Sequence, residues 1–158
     1  MDNVDFNLAH AIGKTTMAAT VHSFYEQVRA HPVLSVPFLR IHDWPTHLDK
    51  IVHFWWVGLG GERYLDYGYQ MPTKHAEAGF TPEFYAIWIG LFEATLNTNL
   101  PPELAQPWLE RAQNIGRAMT MMHDSGQFET MRQALADKSQ HAALIKASGG
   151  LVKISEAD

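Results

Sequence analysis

The residues with the greatest chemical potential in this chain are its histidines. The sequence of 158 residues contains nine histidines and no cysteine. The absence of cysteine excludes disulfides, thiolate zinc sites, iron–sulfur clusters, thiolate-ligated haem and covalently attached c-type haem. Any metal must therefore be held by histidine or carboxylate side chains.

Most of the histidines lie at spacings that do not form a metal site. No His-Glu-x-x-His pair is present, and His42, His47 and His53 do not fall on one side of a helix. A non-haem iron site of two histidines and a carboxylate, with Asp43, stays open, although a chain this rich in such residues offers one by chance. Residues 58–62 lack the third glycine of a nucleotide-binding loop, and no Gly-x-Ser-x-Gly motif of a hydrolase occurs.

Two histidines differ from the others by context. His75 lies in a proline-marked segment between two aromatic-rich helices, and His47 lies on the apolar face of a predicted helix. Each alone has an ordinary interpretation, as a solvated loop residue and as a core histidine. Together with Tyr25 and Trp88, however, they offer one proximal ligand and three distal hydrogen-bonding groups within a helical sandwich.

Hydrophobic periodicity predicts the helices that must position these side chains. Each predicted helix has apolar residues at i, i+3, i+4 and i+7 along one face. Asp43 is a suitable N-cap for the second helix, and Pro82 suits the first turn of the third. The predicted helices cover residues 15–30, 43–58, 82–96, 102–123 and about 128–144.

The segments between these helices are predicted from their prolines and glycines. Residues 32–42 are expected to form a turn-rich connection with short helical pieces. Residues 58–81, which include His75, are expected to be mostly irregular because Gly68, Pro72 and Gly79 interrupt them. Residues 146–158 are expected to be a frayed tail.

Length, composition and charge limit the kind of protein. A chain of this length with 46% hydrophobic and 18% charged residues is typical of one folded domain. The net charge of -5 argues against nucleic acid as a partner. No signal peptide and no apolar run of about 18 residues is found, so no membrane association and a cytoplasmic location are expected.

Three blocks of residues make the sequence resemble a known family. They occur in order, and His75 lies between the second and the third. With this order and spacing, the chain resembles the group III truncated haemoglobins from about residue 15 to residue 122. The blocks are Phe24-Tyr25-Glu26-Gln27-Val28-Arg29, then Trp44-x-x-His47-x-x-Lys50-x-x-x-Phe54-Trp55, then Phe84-x-x-x-Trp88-x-x-Leu91-Phe92.

The resemblance implies an all-α fold, a truncated globin with helices arranged two over two around haem b, here with an extra C-terminal helix. His75 matches the family's proximal iron ligand, and Tyr25 and Trp88 match its distal hydrogen-bond donors. His47 matches the distal histidine, which could bond the ligand, act as a gate or bind the iron. The positions that match haem contacts are Phe38, Lys50 facing a propionate, Ile51, Phe54, Trp55 and Trp88.

The function that this resemblance implies is reversible binding of O₂ and of other diatomic ligands such as NO and CO. An NO dioxygenase or peroxidase-like activity stays open; it would need an external reductase, because the sequence contains no flavin or nicotinamide domain. A haem-based sensor that signals through the C-terminal extension is a further alternative. A haem-free helical domain with incidental histidines is the third.

The sequence divides into a core and an extension. Residues 1–123 are expected to form the globin domain, and residues 124–158 an extension that packs on its surface. The protein is expected to be a monomer or a weak homodimer. Because the family-like core is complete before the extension begins, the extension is expected to be dispensable for haem binding.

Overall fold

The computed structural model describes residues 6–147, which fold into helices without a strand in that range. The all-α fold predicted from the sequence is therefore confirmed. A single 3-10 turn, η1, forms between the second and third α-helices. The elements are α1 (Leu8–Ile12), α2 (Lys14–Ala30), η1 (Val36–Phe38), α3 (Trp44–Gly58), α4 (Met71–Ala78), α5 (Pro82–Asn99), α6 (Pro102–Asp124) and α7 (Gln127–Ala147).

The starts of α3 and α5 follow the predicted capping chemistry. The Asp43 carboxylate accepts a hydrogen bond from the Thr46 backbone N–H at 3.2 Å and one from the Thr46 hydroxyl at 2.7 Å. The Thr81 hydroxyl accepts from the Phe84 backbone N–H at 3.1 Å, and Pro82 occupies the first turn of α5. Each cap satisfies a backbone donor that has no partner inside its helix.

The prediction of an irregular segment over residues 58–81 is wrong at its C-terminal end. Residues Met71–Ala78 form α4, so His75 lies on a helix and not in a loop. Pro72 stands in the first turn of this helix, and Gly79 ends it in a left-handed conformation at φ 81°. Proline near the start and glycine just past the end are the typical boundaries of a helix, and the two residues mark α4 instead of interrupting it.

The five-residue helix α1 was not predicted, because it is too short for periodicity to indicate it. It is held by tertiary contacts at the end of α3. The Ala9 backbone N–H donates to the Leu59 carbonyl at 3.1 Å, and the Asn7 side-chain amide donates to the Gly60 carbonyl at 2.6 Å.

The long helices pack in two pairs. Helix α2 packs on α3, α5 packs on α6, and α2 also contacts α5, as the two-over-two arrangement implies. Phe92 lies at the centre of this core and is 1% exposed. Its ring centroid is 4.9–5.8 Å from those of Phe24, Trp55, Trp88 and Trp108. This aromatic core fixes Trp88 on α5 relative to α2 and α3.

The predicted C-terminal helix is present as α7, a helix of 21 residues. It extends to Ala147, so the first two residues of the predicted frayed tail are helical. The rest of that tail lies outside the described residues. Helix α7 packs on α4 and on α6, around a second and smaller core that contains Ala76, Phe80, Met119 and Phe128.

Candidate functional site

His75 lies near the middle of α4, with its ring oriented by the backbone of its own helix. Its Nδ1 atom is 2.7 Å from the Met71 carbonyl oxygen, one turn earlier. A carbonyl only accepts hydrogen bonds, so Nδ1 carries the proton and donates it. The Nε2 atom is then the unprotonated nitrogen, whose lone pair can bind a metal.

The surroundings of His75 favour its neutral form. Burial lowers its pKa, while the hydrogen bond to the Met71 carbonyl acts weakly in the opposite direction. A metal-binding histidine must be neutral. His75 therefore has the tautomer and the charge state that a metal ligand needs.

Four aromatic rings, carried by α2, η1 and the start of α3, are in contact with one another. They belong to Tyr25, Phe38, Trp44 and His47, and every pair of them is in ring contact. The distances between the ring centroids range from 5.3 Å to 6.5 Å. The structure thus brings together three of the predicted site residues, Tyr25, Phe38 and His47, and adds Trp44. These four residues are called the distal cluster below.

Trp88 on α5 lies close enough to Tyr25 for its indole N–H to act on the pKa of the phenol. An indole N–H can only donate, so it can donate to the phenol oxygen of Tyr25. Burial raises the pKa of Tyr25 well above its usual value, and the indole of Trp88 only partly offsets this. Tyr25 is therefore a neutral phenol at every physiological pH.

His47 has a buried nitrogen without a partner. Among the described residues, nothing forms a hydrogen bond with its Nε2 atom. Burial lowers the pKa of His47, and the charges of Lys50 and Arg40 lower it further. A neutral, unpaired histidine nitrogen in a buried site is costly for the protein alone, which favours a ligand partner at this position.

The predicted haem-contact residues on α3 differ in burial. Ile51 and Phe54 are half-buried, so apolar surface on this side of α3 is available to a cofactor. Trp55 is 6% exposed and stacks on Phe92 within the core. Lys50 is also half-buried, and its Nζ lies 4.3 Å from the centroid of the Tyr67 ring.

His75 is separate from the distal residues. Within residues 6–147, no hydrogen bond or ring contact joins it to Tyr25, His47 or Trp88. The structure therefore places the predicted proximal and distal residues in two groups, one on α4 and one around the start of α3.

Trp44 is a site residue that sequence reasoning did not assign. It precedes His47 by three residues, a spacing that brings two side chains together on a helix. The two ring planes are perpendicular, at 89°. The guanidinium of Arg29 lies over the Trp44 ring, 4.5 Å from its centroid. The spacing could have indicated the contact with His47, but not the one with Arg29 on α2.

His53 has a structural role in the segment between α3 and α4. Its Nε2 atom accepts from the backbone N–H groups of Tyr64 at 3.1 Å and Leu65 at 3.2 Å. Its Nδ1 atom must then carry the proton, which it donates to the Tyr69 hydroxyl. Tyr69 in turn donates to the Lys50 carbonyl at 2.9 Å. These bonds attach the connecting segment to α3, one turn from His47.

Two other kinds of feature, a metal-binding group and a membrane-spanning helix, are absent from residues 6–147. In the described part of the chain, no three histidine or carboxylate side chains gather into a group that could hold a metal ion. No helix between residues 6 and 147 is both long enough and apolar enough to cross a bilayer.

Comparison with known proteins extends the resemblance beyond these residues. The chain is similar to the group 3 truncated hemoglobin ctb of Campylobacter jejuni, with 36% identity over 110 residues. The aligned region covers 66% of this chain and 85% of that protein. No protein-family model and no solved structure matches the chain. The similarity thus extends over most of the relative's length and is not confined to one motif.

Proposed function

Because the chain belongs to the group 3 truncated haemoglobins, a family of haem globins, we propose that it binds haem b through His75 and reversibly binds O₂ beside the distal cluster. Membership of the family implies the haem cofactor. The proposal adds the haem type, the residues that hold it and the ligand.

The observation that carries the proposal is the hydrogen bond from His75 Nδ1 to the Met71 carbonyl. It orients the imidazole and leaves Nε2 free to coordinate iron. A carbonyl acceptor on the second nitrogen is the usual support of a metal-binding histidine. No other histidine in the described residues combines this bond with a lowered pKa.

Three half-buried apolar side chains of α3 and η1 are available to a flat apolar cofactor. Half-buried Ile51 and Phe54 on α3 offer apolar surface, and Phe38 extends this surface from η1. Lys50 is the cation that would face a propionate. Haem iron, when bound there, supplies a coordination position for a diatomic ligand.

The distal residues would favour a ligand that carries negative charge. The Tyr25 oxygen can accept from the indole N–H of Trp88, which leaves the phenol proton available to a ligand in the pocket. A hydroxyl that accepts one hydrogen bond becomes a better donor for another. An O₂ ligand carries more negative charge than CO, and these donors therefore favour O₂. The unpaired Nε2 of His47 is another group that can bond a ligand.

Catalytic use of the same site needs a partner. Conversion of NO to nitrate consumes O₂ and an electron, and peroxide reduction consumes electrons as well. An external reductase would have to supply them. NO dioxygenation is thus an extension of the proposed O₂ binding.

One observation favours a second candidate function, a haem-based sensor. Helix α7 packs directly on α4, the helix that carries His75. Movement of the proximal ligand would therefore reach the C-terminal extension by direct contact. A sensor would use that contact to change the docking of a partner.

Replacing His75 tests the proposal. The purified wild-type protein should show an intense Soret band at one haem per chain. His75→Ala should retain haem poorly, whereas His22→Ala, an exposed histidine on α2, should behave like the wild type. A His75→Ala protein with the wild-type spectrum and a five-coordinate ferrous iron would contradict the proximal assignment.

A further inference from the structure

Helix α4 depends on α7 for its place in the fold. An eight-residue helix is too short to be stable in water by itself. Of the helices in residues 6–147, α7 is the one against which α4 packs extensively. Ala76, next to His75 in the chain, is fully buried in the core shared with α7.

A hydrogen bond from α7 reaches the end of α4. The Nη1 atom of Arg132 donates to the Ala76 carbonyl at 3.2 Å. This carbonyl lies in the last turn of α4, where it also accepts from the Gly79 backbone N–H at 3.2 Å and where the helix dipole favours a cation. Glu129 binds the Nη2 atom of the same guanidinium at 3.1 Å and orients it.

A series of ring contacts connects α7 to His75. Phe128, at the start of α7, is fully buried, and its ring centroid is 5.7 Å from that of Phe80. The Phe80 ring is 6.0 Å from the imidazole of His75. Phe80 therefore lies between α7 and the proximal histidine, in contact with both.

We infer that α7 positions the proximal histidine, with Arg132 and Phe128 as the positioning residues. The inference rests on the proposed function, in which His75 is the iron ligand. Arg132 holds the end of α4 next to His75, and Phe128 supports the ring against which His75 packs. The orientation of the imidazole toward the haem is thus set from the C-terminal extension. This packing runs against the expectation that the extension is dispensable for haem binding.

Arg132→Met tests the hydrogen bond, because methionine keeps an unbranched side chain but has no donor. Arg111→Met is the matched control, since Arg111 is exposed on α6. Arg132→Lys keeps one charged donor and should recover part of any loss. Phe128→Leu tests the ring contact while keeping an apolar side chain in the small core.

Two measurements on the full chain separate positioning from simple stability. In the ferrous haem-loaded protein, resonance Raman spectroscopy reports the iron–histidine stretch. In the haem-free protein, hydrogen exchange reports the opening of α4. We expect Arg132→Met to shift or broaden the iron–histidine band and to speed exchange of the last amides of α4 by about tenfold. Arg111→Met should change neither.

The outcomes distinguish this inference from the proposed function. A wild-type protein without a haem spectrum would overturn the proposed function, and the inference with it. A wild-type protein with the iron–histidine band, and an Arg132→Met band identical to it, would overturn the inference alone. Faster exchange with an unchanged band would also overturn it, because Arg132 would then only stabilise α4.

Discussion

At the scale of single residues, the position of Trp88 beside Tyr25 decides what each can offer a ligand, because the indole N–H can donate to the phenol oxygen. While the indole N–H donates to the phenol oxygen, Trp88 has no donor left for the pocket. Tyr25 therefore donates to the ligand directly, and Trp88 acts on the ligand only through its effect on Tyr25. Removing Tyr25 would release the indole N–H, which could then turn to the ligand itself.

This coupling shapes the expected effect of Tyr25→Phe on O₂ release. A hydrogen bond to a charged acceptor contributes about 1.5–3 kcal/mol, which is about 10- to 100-fold in the dissociation rate. We expect about tenfold faster O₂ release, the lower end of that range, because the indole N–H of Trp88 can donate to the ligand in place of the Tyr25 hydroxyl. CO release should change much less. Stopped-flow measurement of both rates tests this.

The double variant Tyr25→Phe with Trp88→Phe completes that experiment. Its O₂ release should be faster than the product of the two single effects, because neither donor can then replace the other. Tyr64→Phe is the matched control, since the Tyr64 side chain is exposed. If Tyr25→Phe left O₂ release within about twofold of the wild type, the hydroxyl would serve packing only.

The residues of the site were predictable to different degrees for a physical reason. Tyr25, His47 and Trp88 are recognisable because they lie within the three blocks that carry the family resemblance, and His75 because it lies between the second and the third. The contact of Trp44 with Arg29 and the bonds of His53 with Tyr69 join residues far apart in the chain. Such contacts depend on how the helices pack, which local patterns do not contain.

At the scale of elements, α5 and α6 meet at a glycine. Gly116 is buried on α6, and a Cβ atom there would overlap the ring of Tyr85 on α5. Gly90 on α5 is exposed, and a Cβ atom there would meet no protein atom within 4 Å. The packing of α5 on α6 therefore requires a glycine at position 116, whereas no contact with the protein requires one at position 90.

Replacing each of these glycines by alanine should change stability in opposite directions. Alanine within a helix contributes about 0.5–1 kcal/mol relative to glycine, so Gly90→Ala should raise the free energy of unfolding. Gly116→Ala gains the same term but overfills a packed interface, at a cost of about 1–3 kcal/mol. We expect it to be less stable than the wild type by about 1 kcal/mol. Urea denaturation of both variants measures this, and a stabilised Gly116→Ala would show that Tyr85 moves freely.

Helix α4 shows why the prediction of an irregular segment was wrong over residues 71–78. The long amphipathic helices were predictable because their own sequences carry the apolar face. Helix α4 has only two turns, and its stability comes from Phe128 and Arg132, some fifty residues later in the chain. Pro72 and Gly79 are compatible with a loop or with a short helix, and only the packing of α7 decides between them.

At the scale of the whole molecule, three histidines connect stability to pH. Burial lowers the pKa of His47, of His53 and of His75 below the usual value of 6.5. His53 cannot be protonated on Nε2 without losing two backbone hydrogen bonds. Between the usual histidine pKa of the unfolded chain and the lowered pKa values of the folded protein, the unfolded chain therefore binds more protons than the folded one.

The haem-free protein should accordingly lose stability in mild acid. Its free energy of unfolding should be highest above pH 6.5, and it should fall as the pH drops below 6.5 through the lowered pKa values of the folded state. Urea denaturation across this range measures the slope. His53→Gln should reduce the slope, whereas His22→Gln, at an exposed position, should leave it unchanged. An equal slope in wild type and His53→Gln would contradict the role of His53.

The packing of α4 on α7 also has a consequence for biosynthesis. Chains emerge from the ribosome N-terminus first, so residues 71–78 are made well before the helix that supports them. The distal cluster can assemble on the nascent chain, since α2, η1, α3 and α5 all precede α7. The proximal half of the pocket cannot form until Phe128 and Arg132 have been synthesised. Capture of the cofactor is thereby deferred until α7 has been made and has packed on α4.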